Sequence, residues 1–480
     1  MNTKLLKQKI LDLAMRGKLT EQRKSDGTAR ELLERILDEK RKADEPSKAT
    51  KQSKDTKSKT PERIVPLDKN DAPFEIPENW EWVRLGDVAY IASGSTPSKD
   101  SFVESGVPYL KMYNLRNQKI DFDFKPQYIK REIHEGKLAR SMAKPGDVIM
   151  NIVGPPLGKV ALIPDSLPEC NFNQAAVMIR THYCANLMNQ YIRYFLLQMD
   201  EINAINTKGT AGQENISLTQ TQNMRLPLPP LAEQRRIVAK IEEAFAEIDA
   251  IEKKKESLKR HIAQARQKIL DLAIHGKLVP QNKADGTALD LLKNITHDKP
   301  HYGKMGLDDV PFGIPENWCW SGLKKISRVL YGYPLNSSLF NTEKGKIVVR
   351  IRDVQQAYSS TYTTEDVPHE YILHKGDMLV GMDGNFNVNF WNIDGAVLNQ
   401  RVCKITTNPS FCIQRFLFYT IPFFLNIIEQ NVSFSTVKHL SDKHLTEMRI
   451  PLPPLAEQNR IVAKIDELFA VLDQIEGNLV

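Results

Sequence analysis

Cysteine is scarce in this sequence, and its few copies are scattered. The five cysteines among the 480 residues form no CxxC pair, which predicts neither a disulfide framework nor a cysteine metal site and is typical of a reducing cytoplasm. No apolar run is long enough to span a bilayer. The N-terminus, MNTKLLKQKILDLAMRGK, is amphipathic and unlike a signal peptide. We therefore expect a cytoplasmic protein without a membrane partner.

Catalytic motifs are missing as well. GPPLGKV at Gly154 has the wrong spacing for a phosphate-binding loop and lacks a hydroxyl residue after the lysine. HExxH is absent, and the ten histidines do not cluster at metal-ligand spacing. GxGxxG and the Asn/Asp-Pro-Pro-Tyr/Phe motif of DNA methyltransferases are absent too. We therefore expect no catalytic residue, no metal site and no cofactor bound by this chain.

What the sequence does contain is a long-range repeat. PLPPLAEQRRIVAKIEEAFAEIDAIE from Pro227 returns as PLPPLAEQNRIVAKIDELFAVLDQIE from Pro451, an offset of 224 residues. QKILDLAMRGKLTEQRKSDGTA from Gln8 returns as QKILDLAIHGKLVPQNKADGTA from Gln267, an offset of 259 residues. Offsets of this size indicate duplicated domains rather than a short solenoid repeat.

The order of the repeated segments is circular. In the middle of the chain the PLPPLAEQ segment runs directly into the QKILDLA segment, from Pro227 to about Ile295. At the C-terminus the PLPPLAEQ copy ends at Val480, and its missing QKILDLA half lies at residues 4–36. We therefore expect the chain ends to meet and rebuild what the middle holds in one piece, with a pseudo-two-fold axis.

The repeated segments carry an apolar stripe with helical spacing. No proline or glycine interrupts the chain from Leu231 to His275, and Gly276 supplies a C-terminal stop. Such a helix is ~68 Å long at ~1.5 Å per residue. Three- and four-residue steps predict a coiled-coil seam formed by Ile241, Phe245, Ile248, Leu258, Ile262, Ile269, Leu272, Ile461, Ile465, Leu468, Leu472 and Ile475.

We expect these helices to pack antiparallel, the central helix against the C-terminal one. The N-terminal helix, with Leu6, Ile10 and Leu13 on its stripe, would complete the second strand of the coil. Lys254 and Lys255 fall where a seam residue is expected and weaken the seam there. Core helices of an ordinary bundle would show the same stripes, and only the continuity of the long helix favours a spacing role.

Two unlike segments lie between the repeated ones. Each opens with PxxIPENWxW, at Pro73 and at Pro311. Each then mixes helices, at 186–199 and 413–429, with short β-runs at 107–110, 148–152, 175–179, 347–351, 378–380 and 401–405. The fold class we predict is mixed α/β, with two α/β domains separated by long antiparallel coiled-coil helices. A shared frame with divergent loops is typical of a conserved spacer carrying two different reader domains.

The polar loops of the two readers supply candidate DNA contacts, because Arg, Lys, Asn and Gln pair with base edges and phosphates. In the first reader these are Ser95, Thr96, Ser98, Lys99, Lys111, Tyr113, Asn114, Arg116 and Lys159. In the second they are Asn336, Arg350, Arg352, Asp353, Asn385, Asn387, Asn389 and Arg401. Any protein surface shows such loops, and the net charge of +7 fits a nucleic-acid partner without demanding one. The Asn-Gln pairs at 173–174 and 399–400 recur in both readers and are expected to support the scaffold.

The repeated segments of this chain resemble the conserved regions of type I restriction-modification specificity subunits. The resemblance is carried by PLPPLAEQ followed by IVAKI, by the second copy of that sequence near the C-terminus, and by the QKILDLAxxGKLxxQ segments. The resemblance covers nearly the whole chain. The run from Asp38 to Arg63 is rich in Lys, Ser and Thr and contains no Val, Ile, Leu, Met or aromatic residue, which predicts a basic disordered linker at 38–72. The resemblance implies N-terminal conserved helices at 1–37 and a first target-recognition domain at 73–226. It further implies a central conserved region at 227–296, a linker at 297–310, a second target-recognition domain at 311–449 and a C-terminal conserved helix at 450–480.

The resemblance also implies partners. Such a subunit recognises a bipartite, asymmetric target in double-stranded DNA and is not itself catalytic. Two modification subunits methylate adenine with S-adenosylmethionine, and two restriction subunits act as motor nucleases that use ATP and Mg. By the same analogy, the helical regions 227–275 and 451–479 set the spacing between the half-sites and dock the modification subunits.

Three other interpretations remain open at this point. The chain could be a stand-alone DNA-binding or scaffold protein without methylation partners. It could be a degenerate member of the family, kept as a source of exchangeable recognition domains, although the intact circular arrangement argues against this. A hydrolase is disfavoured because no acid, base or nucleophile set matches between the two halves.

Overall fold

The computed structural model describes residues 2–44, 63–68, 72–154, 157–198, 215–293, 310–431 and 438–479. The chain divides into two compact units, Met1–Lys254 and Lys255–Val480. Each unit combines a QKILDLA segment, one reader and a PLPPLAEQ helix. Within the described ranges no helix is both long enough and apolar enough to cross a membrane.

The first unit builds its reader from two four-stranded sheets. Their strand orders are β2-β11-β8-β9 and β10-β4-β7-β3. Buried side chains of both sheets, among them Leu110, Ile149 and Met178, form one core cluster. The helices are α1 (Thr3–Met15), α2 (Ala29–Asp44), α3 (Leu85–Val88), α4 (Arg131–Glu135), α5 (Ala185–Leu196) and α6 (Leu218–Gln222). The strands are β1 (Glu81–Arg84), β2 (Ala89–Ser93), β3 (Phe102–Val103), β4 (Val107–Leu110), β5 (Leu115–Arg116), β6 (Lys119–Ile120), β7 (Tyr128–Ile129), β8 (Val148–Asn151), β9 (Val160–Leu162), β10 (Asn171–Phe172), β11 (Ala176–Thr181) and β12 (Arg225–Leu228).

The predicted long helix is confirmed as α7, Leu231–Ile274. It ends where Gly276 takes a left-handed conformation, with φ of 65°. There the Lys277 amide donates to the Leu272 carbonyl at 2.8 Å, as in a glycine C-cap. A Cβ at Gly276 would also lie 2.4 Å from Cγ of Pro315. Glycine is therefore required at this position for both its conformation and its size.

The second unit repeats this plan with different loops. Its sheet β14-β22-β19-β20 corresponds to the first four-stranded sheet of the first unit, and a five-stranded sheet, β15-β17-β16-β21-β18, accompanies it. The strands are β13 (Cys319–Gly322), β14 (Ser327–Tyr331), β15 (Phe340–Asn341), β16 (Lys346–Val349), β17 (Tyr362–Thr363), β18 (Ile372–Leu373), β19 (Met378–Gly381), β20 (Val388–Phe390), β21 (Ala396–Leu398), β22 (Val402–Thr407) and β23 (Arg449–Leu452). The helices are α8 (Ala288–Lys293), α9 (Leu323–Ile326), α10 (Ile351–Val354), α11 (Gln414–Asn431), α12 (Asp442–Glu447) and α13 (Leu455–Gly477).

A two-stranded ribbon forms the neck of each reader. In the first unit β1 pairs antiparallel with β12 and sets Trp82 opposite Pro227. In the second unit β13 pairs with β23 and sets Trp320 opposite Pro451. In each unit the PENWxW and PLPP sequences therefore each supply part of one strand of the ribbon, through which the chain enters and leaves the reader.

Buried polar contacts join the helical segments of each unit, and we name each set a latch. The first latch consists of Gln22, Asp26, Glu233 and Arg236. The fully buried Glu233 carboxylate accepts from Gln22 Nε2 at 2.5 Å and from Trp80 Nε1 at 2.8 Å. Arg236 donates to both carboxylate oxygens of Asp26, at 2.8 and 2.6 Å. A bidentate pair of this kind fixes orientation as well as distance.

The second latch repeats this chemistry with Gln281, Asp285, Glu457 and Arg460. Glu457, also fully buried, accepts from Gln281 Nε2 at 2.6 Å. Arg460 donates to Asp285 at 2.6 Å. Here Asn317 Nδ2, at 3.1 Å, is a further donor to the glutamate. The repeated motifs thus encode the same fastening in both units.

The helices in each unit run antiparallel, as the stripes predicted. In the first unit Lys7 on α1 binds Asp249 on α7 at 2.5 Å, while Gln22, which follows α1 in sequence, donates to Glu233 near the start of α7. Residue numbers therefore rise along α1 as they fall along α7. In the second unit Arg266 on α7 binds Asp473 on α13 at 2.5 Å. The expectation that the two chain ends meet remains a prediction.

The predicted seam is buried unevenly. Ile241, Ile248, Ile262, Ile461 and Ile465 are buried. Phe245, Ile269, Leu272, Leu468 and Leu472 are partly buried. Leu258 and Ile475, however, are 38% and 39% exposed, and so they do not act as buried seam positions within their unit.

The predicted disordered linker at 38–72 needs correction at both ends. Helix α2 continues through Asp44, since residues 38–44 are mostly good helix formers and Lys42 binds Glu39 one turn earlier. Further on, Ile64 and Leu67 pack against the core of the first unit. Residues 45–62 and 69–71 of this segment, and the predicted linker at 297–310 up to residue 309, lie outside the described residues.

We expect Asp26→Asn to destabilise the protein by about 2 kcal/mol at neutral pH, because Arg236 loses its charged partner. The hydrogen bond from Arg236 lowers the pKa of Asp26. This stabilisation is therefore present above the ordinary aspartate pKa and is lost as the pH falls through the lowered value. Urea unfolding should show that the difference in the free energy of unfolding between variant and wild type narrows from pH 5 downwards. Asp38→Asn, at an exposed position, is the matched control. A difference in the free energy of unfolding between Asp26→Asn and wild type that does not depend on pH would contradict this role of the Asp26–Arg236 pair.

Candidate DNA interface

The recurrent Asn-Gln turn anchors the first loop of each reader. A Cβ at Gly94 would lie 2.2 Å from the Asn173 carbonyl oxygen, and one at Gly332 would lie 1.9 Å from that of Asn399. Only glycine permits so close an approach of two backbones. These contacts agree with a scaffold role for the residues that recur in both readers.

The loop that follows Gly94 carries four predicted contacts. Thr96, Ser98 and Lys99 are exposed and Ser95 is half-buried. The Thr96 hydroxyl bonds to Gln174, and Ser98 shares a hydrogen bond with Ser101 at 3.1 Å. The Lys99 ammonium makes no polar contact within the described ranges and is the freest cation of this loop.

Asn114 and Asp353 are corrections to the predicted DNA contacts. Asn114 is 1% exposed; its Oδ1 accepts from the Lys111 amide, and its Nδ2 donates to the Asp121 and Phe124 carbonyls. Asp353 is 8% exposed and accepts from the Arg350 amide at 3.0 Å. Both side chains close a turn of the backbone, and neither can meet a base without opening that turn.

An aromatic and cationic cluster lies beside this turn in the first reader. The Arg116 guanidinium lies 4.2 Å from the ring centroid of Phe124, and Lys125 Nζ lies 5.5 Å from it. Tyr113 packs edge-on against the same ring. Burial raises the pKa of the Tyr113 phenol, which keeps its proton and donates to the Lys125 carbonyl at 3.2 Å. Of these groups, Arg116, Phe124 and Lys125 are exposed to solvent.

The remaining candidates of the first reader are two half-buried lysines. Lys111 Nζ lies 5.9 Å from the Phe102 ring. The Lys159 amide donates to Asn151 at 2.5 Å, but its ammonium makes no polar contact in the described part of the chain. Lys159 precedes Val160, whose amide donates to Gln118 at 2.8 Å. Lys159 and the Arg116 turn therefore lie at the same end of the sheet.

In the second reader some of the predicted side chains form hydrogen bonds, and others form none within the described ranges. Asn336 accepts from the Ser338 amide at 3.1 Å. Asn389 donates to the Gln355 carbonyl at 2.9 Å. The free group comprises the side chains of Arg352, Asn385 and Asn387, which make no hydrogen bond or ion pair within the ranges that the structure describes.

Two cations of the second reader are partly neutralised. Arg350 Nε lies 3.3 Å from Asp353, and Arg401 Nε lies 3.4 Å from Asp383. Asp383 also receives His439 Nδ1 at 2.5 Å. The Arg401 side chain is 54% exposed, and because ion pairs of exposed side chains are weak, a phosphate could compete for it.

The structure also exposes polar residues that the sequence-based prediction missed. In the first reader these are Asn117 and Lys119, and in the second Gln355, Gln356 and Tyr358. Asn117 and Gln118 both have positive φ, of 50° and 58°, the signature of a tight hairpin turn. The Arg-Asn-Gln-Lys sequence at 116–119 carried that signal through its asparagine, which tolerates such a turn.

A family model for the type I restriction modification DNA specificity domain matches residues 77–260 and 315–479. The chain belongs to this family. The matched ranges cover nearly all of both readers, both necks and the helical segments that begin with PLPPLAEQ, and leave out both QKILDLA segments. The earlier resemblance is thereby confirmed, and the chain is a type I specificity subunit.

Relatives of this specificity subunit agree over different lengths. The EcoAI specificity subunit of Escherichia coli is 26% identical over 98% of this chain and 90% of its own length. The EcoBI specificity subunit of the same species is 40% identical, but that match spans 35% of either chain. A chain from a solved type I R-M system has 21% identity and a TM-score of 0.58 over 85% of this chain and 94% of its own. The last likeness confirms the mixed α/β fold with two sheet-rich domains and a long helix.

We expect Asn114→Ala to lower the stability of the specificity subunit by about 2–4 kcal/mol, because buried partners are left unpaired. The bases read in the DNA target should not change. Thermal unfolding and methylome sequencing of the same variant measure the two effects. Lys99→Ala, which removes an exposed cation without a partner, should leave the melting temperature unaltered. A changed target sequence in a normally stable Asn114→Ala protein would restore Asn114 as a base contact.

Proposed function

We propose that this specificity subunit recognises a bipartite, asymmetric DNA target. The first recognition domain, 73–226, reads one half-site, and the second, 311–449, reads the other. The observation that carries this proposal is a pair of equivalent frames with unlike surfaces: both readers share the neck, the latch and the turn at Asn114 or Asp353, but their exposed loops differ. Two different readers on one repeated frame suit a target whose halves differ in sequence.

The proposal extends to the partners. Two modification subunits would methylate adenine with S-adenosylmethionine, and two restriction subunits would use ATP and Mg to translocate and cleave DNA. The chain itself would contribute recognition and no reacting group. Apolar side chains left exposed on the helix pair of each unit support docking of a partner: Leu5, Leu6 and Ile251 in the first unit, and Leu258, Val471 and Ile475 in the second.

Copurification and methylome sequencing test this assignment together. Coexpressed with the modification subunit, the full chain should copurify with two equivalents of it. The host genome should then carry N6-methyladenine at one bipartite motif that disappears when this chain is omitted. A chain that binds DNA without any methyltransferase would favour a stand-alone DNA-binding protein instead.

The helical regions are proposed to set the spacing of the two half-sites. Removal of one heptad from α7 and one from α13 shortens each helix by ~10 Å, which corresponds to roughly 3 base pairs of B-DNA at one turn per ~34 Å. We therefore expect a spacer about 3 base pairs shorter, measured by methylome sequencing. Replacement of Lys253, Lys254 and Lys255 by alanine keeps the helix length and is the control. An unchanged spacer in the deletion variant would refute the spacing role.

A further inference from the structure

Each reader presents one exposed polar tip at an equivalent place in its frame. The first tip is residues 116–119 and the second tip is residues 355–358. Each begins two residues after the buried turn closed by Asn114 or Asp353. The intervening residues, Leu115 and Val354, are 2% and 1% exposed and hold the base of the tip in the core.

The first tip is a rigid two-stranded hairpin. Strands β5 and β6 pair Leu115 with Ile120 and Arg116 with Lys119. Because side chains alternate across a strand, Arg116 and Lys119 lie on the face opposite Leu115, and both are exposed. Gln118 accepts from the Val160 amide at 2.8 Å and ties the turn to strand β9. The tip therefore offers a fixed backbone with exposed side-chain donors, of which Arg116 also lies 3.9 Å from Asp121.

The second tip has the same position and different chemistry. Ala357 has φ of 50°, and the Ala357 amide donates to the Val354 carbonyl at 3.2 Å. Asn389 holds the Gln355 carbonyl at 2.9 Å. The side chains of Gln355, Gln356 and Tyr358 are exposed, Tyr358 by 58%, and make no polar contact within the described ranges. This tip carries no charge, whereas the first tip carries two.

Backbone conformation sets these two tips apart from most of the surface. Non-glycine residues with positive φ are few in the described chain: Asn117, Gln118, Lys125, Cys184 and Ala357. Three of these residues lie within the tips. L-residues rarely adopt this conformation, and it persists where the surroundings hold it and often where function uses it. In both readers the positive-φ residues lie in the turn that carries the exposed polar side chains.

We propose that the two tips are the base-reading elements by which the half-sites come to differ, an inference that rests on the proposed function. A two-stranded ribbon fits the major groove of B-DNA. Arg116 and Lys119 match the O6 and N7 acceptors of guanine, and Gln355 and Gln356 match the donor and acceptor edge of adenine. The first tip thus selects guanine in one half-site, and the second tip selects adenine in the other.

The test replaces the exposed side chains of one tip at a time in the assembled methyltransferase, with methylome sequencing as the readout. The variant Arg116→Ala, Lys119→Ala should lose roughly 5- to 150-fold of base discrimination at guanine positions in one half-site, with the other half-site unaltered. The variant Gln355→Ala, Gln356→Ala should lose a similar base discrimination at adenine positions of the opposite half-site, with the first half-site unaltered.

A control for the first tip lies at the far end of its sheet, and the control for the second reader is an exposed lysine. Strands β8 and β9 pair Met150 with Val160 near the first tip and Val148 with Leu162 at the other end. Lys144, whose amide bonds to Asp147, belongs to that other end. Lys144→Ala, and Lys375→Ala in the second reader, should leave the motif unchanged.

Unchanged motifs in both tip variants, or motif changes in the controls as large as those in the tips, would overturn the inference. If a tip variant abolishes methylation, Arg116→Lys, Lys119→Arg decides for the first tip and Gln355→Asn, Gln356→Asn for the second, since each keeps the chemical class but alters donor geometry. An altered base preference supports the tips, and an unaltered one refutes them. Failure of the wild-type subunit to direct a bipartite motif would instead refute the proposed function.

Discussion

The buried carboxylates of Glu233 and Glu457 are the interactions on which the rest of the subunit depends. A carboxylate without partners in an apolar core would be strongly destabilising, so each requires the donors that surround it. For Glu233 those donors come from residues more than 150 positions away in sequence, Gln22 and Trp80. The latch thus joins the helical segments and the base of the reader at one point. Burial raises the pKa of Glu233, as expected where its partners are donors rather than a full counter-charge.

In each unit the residues that support the fold are different from those that are exposed to a ligand. The neck ribbons, the latches and the glycine contacts at Gly94 and Gly332 are shared, and they involve backbone or buried side chains. The residues free to meet a ligand lie on short exposed turns and loops. A rigid frame allows these turns to differ in charge and length without disturbing the core, and the two readers show how far they have diverged.

The sequence predicted the periodic parts of the structure well. The run at 107–110 is β4, and the long helix was placed to within one residue at its end, because apolar spacing and a terminal glycine mark such elements. The run at 347–351 was partly wrong, since Asp353 closes a turn that converts Ile351 into the start of α10. The seam at Leu258 and Ile475 was predicted buried, but spacing alone does not show where a partner helix ends.

The candidate site was less predictable than the fold. Asn114 and Arg116 are both polar and two positions apart, yet one is buried and the other exposed. The difference arises from hydrogen bonds to residues 121 and 124, which no local pattern indicates. Asn117, Lys119 and Gln356 were missed for the converse reason: turns have no apolar period, and only the folded backbone shows which way their side chains face.

The neck ribbon has a consequence for how such subunits diversify. Because Glu81 lies opposite Leu228 in the ribbon, the points at which the chain enters and leaves the first reader are neighbours in space. A genetic exchange between the PENW and PLPP sequences would transplant a whole reader, carrying its sheets intact and leaving the helices undisturbed. Each sequence occurs twice in the chain, at both readers, so the gene also contains the homologous borders for an internal rearrangement. Two crossovers, one at each border, can thus generate a new specificity at once.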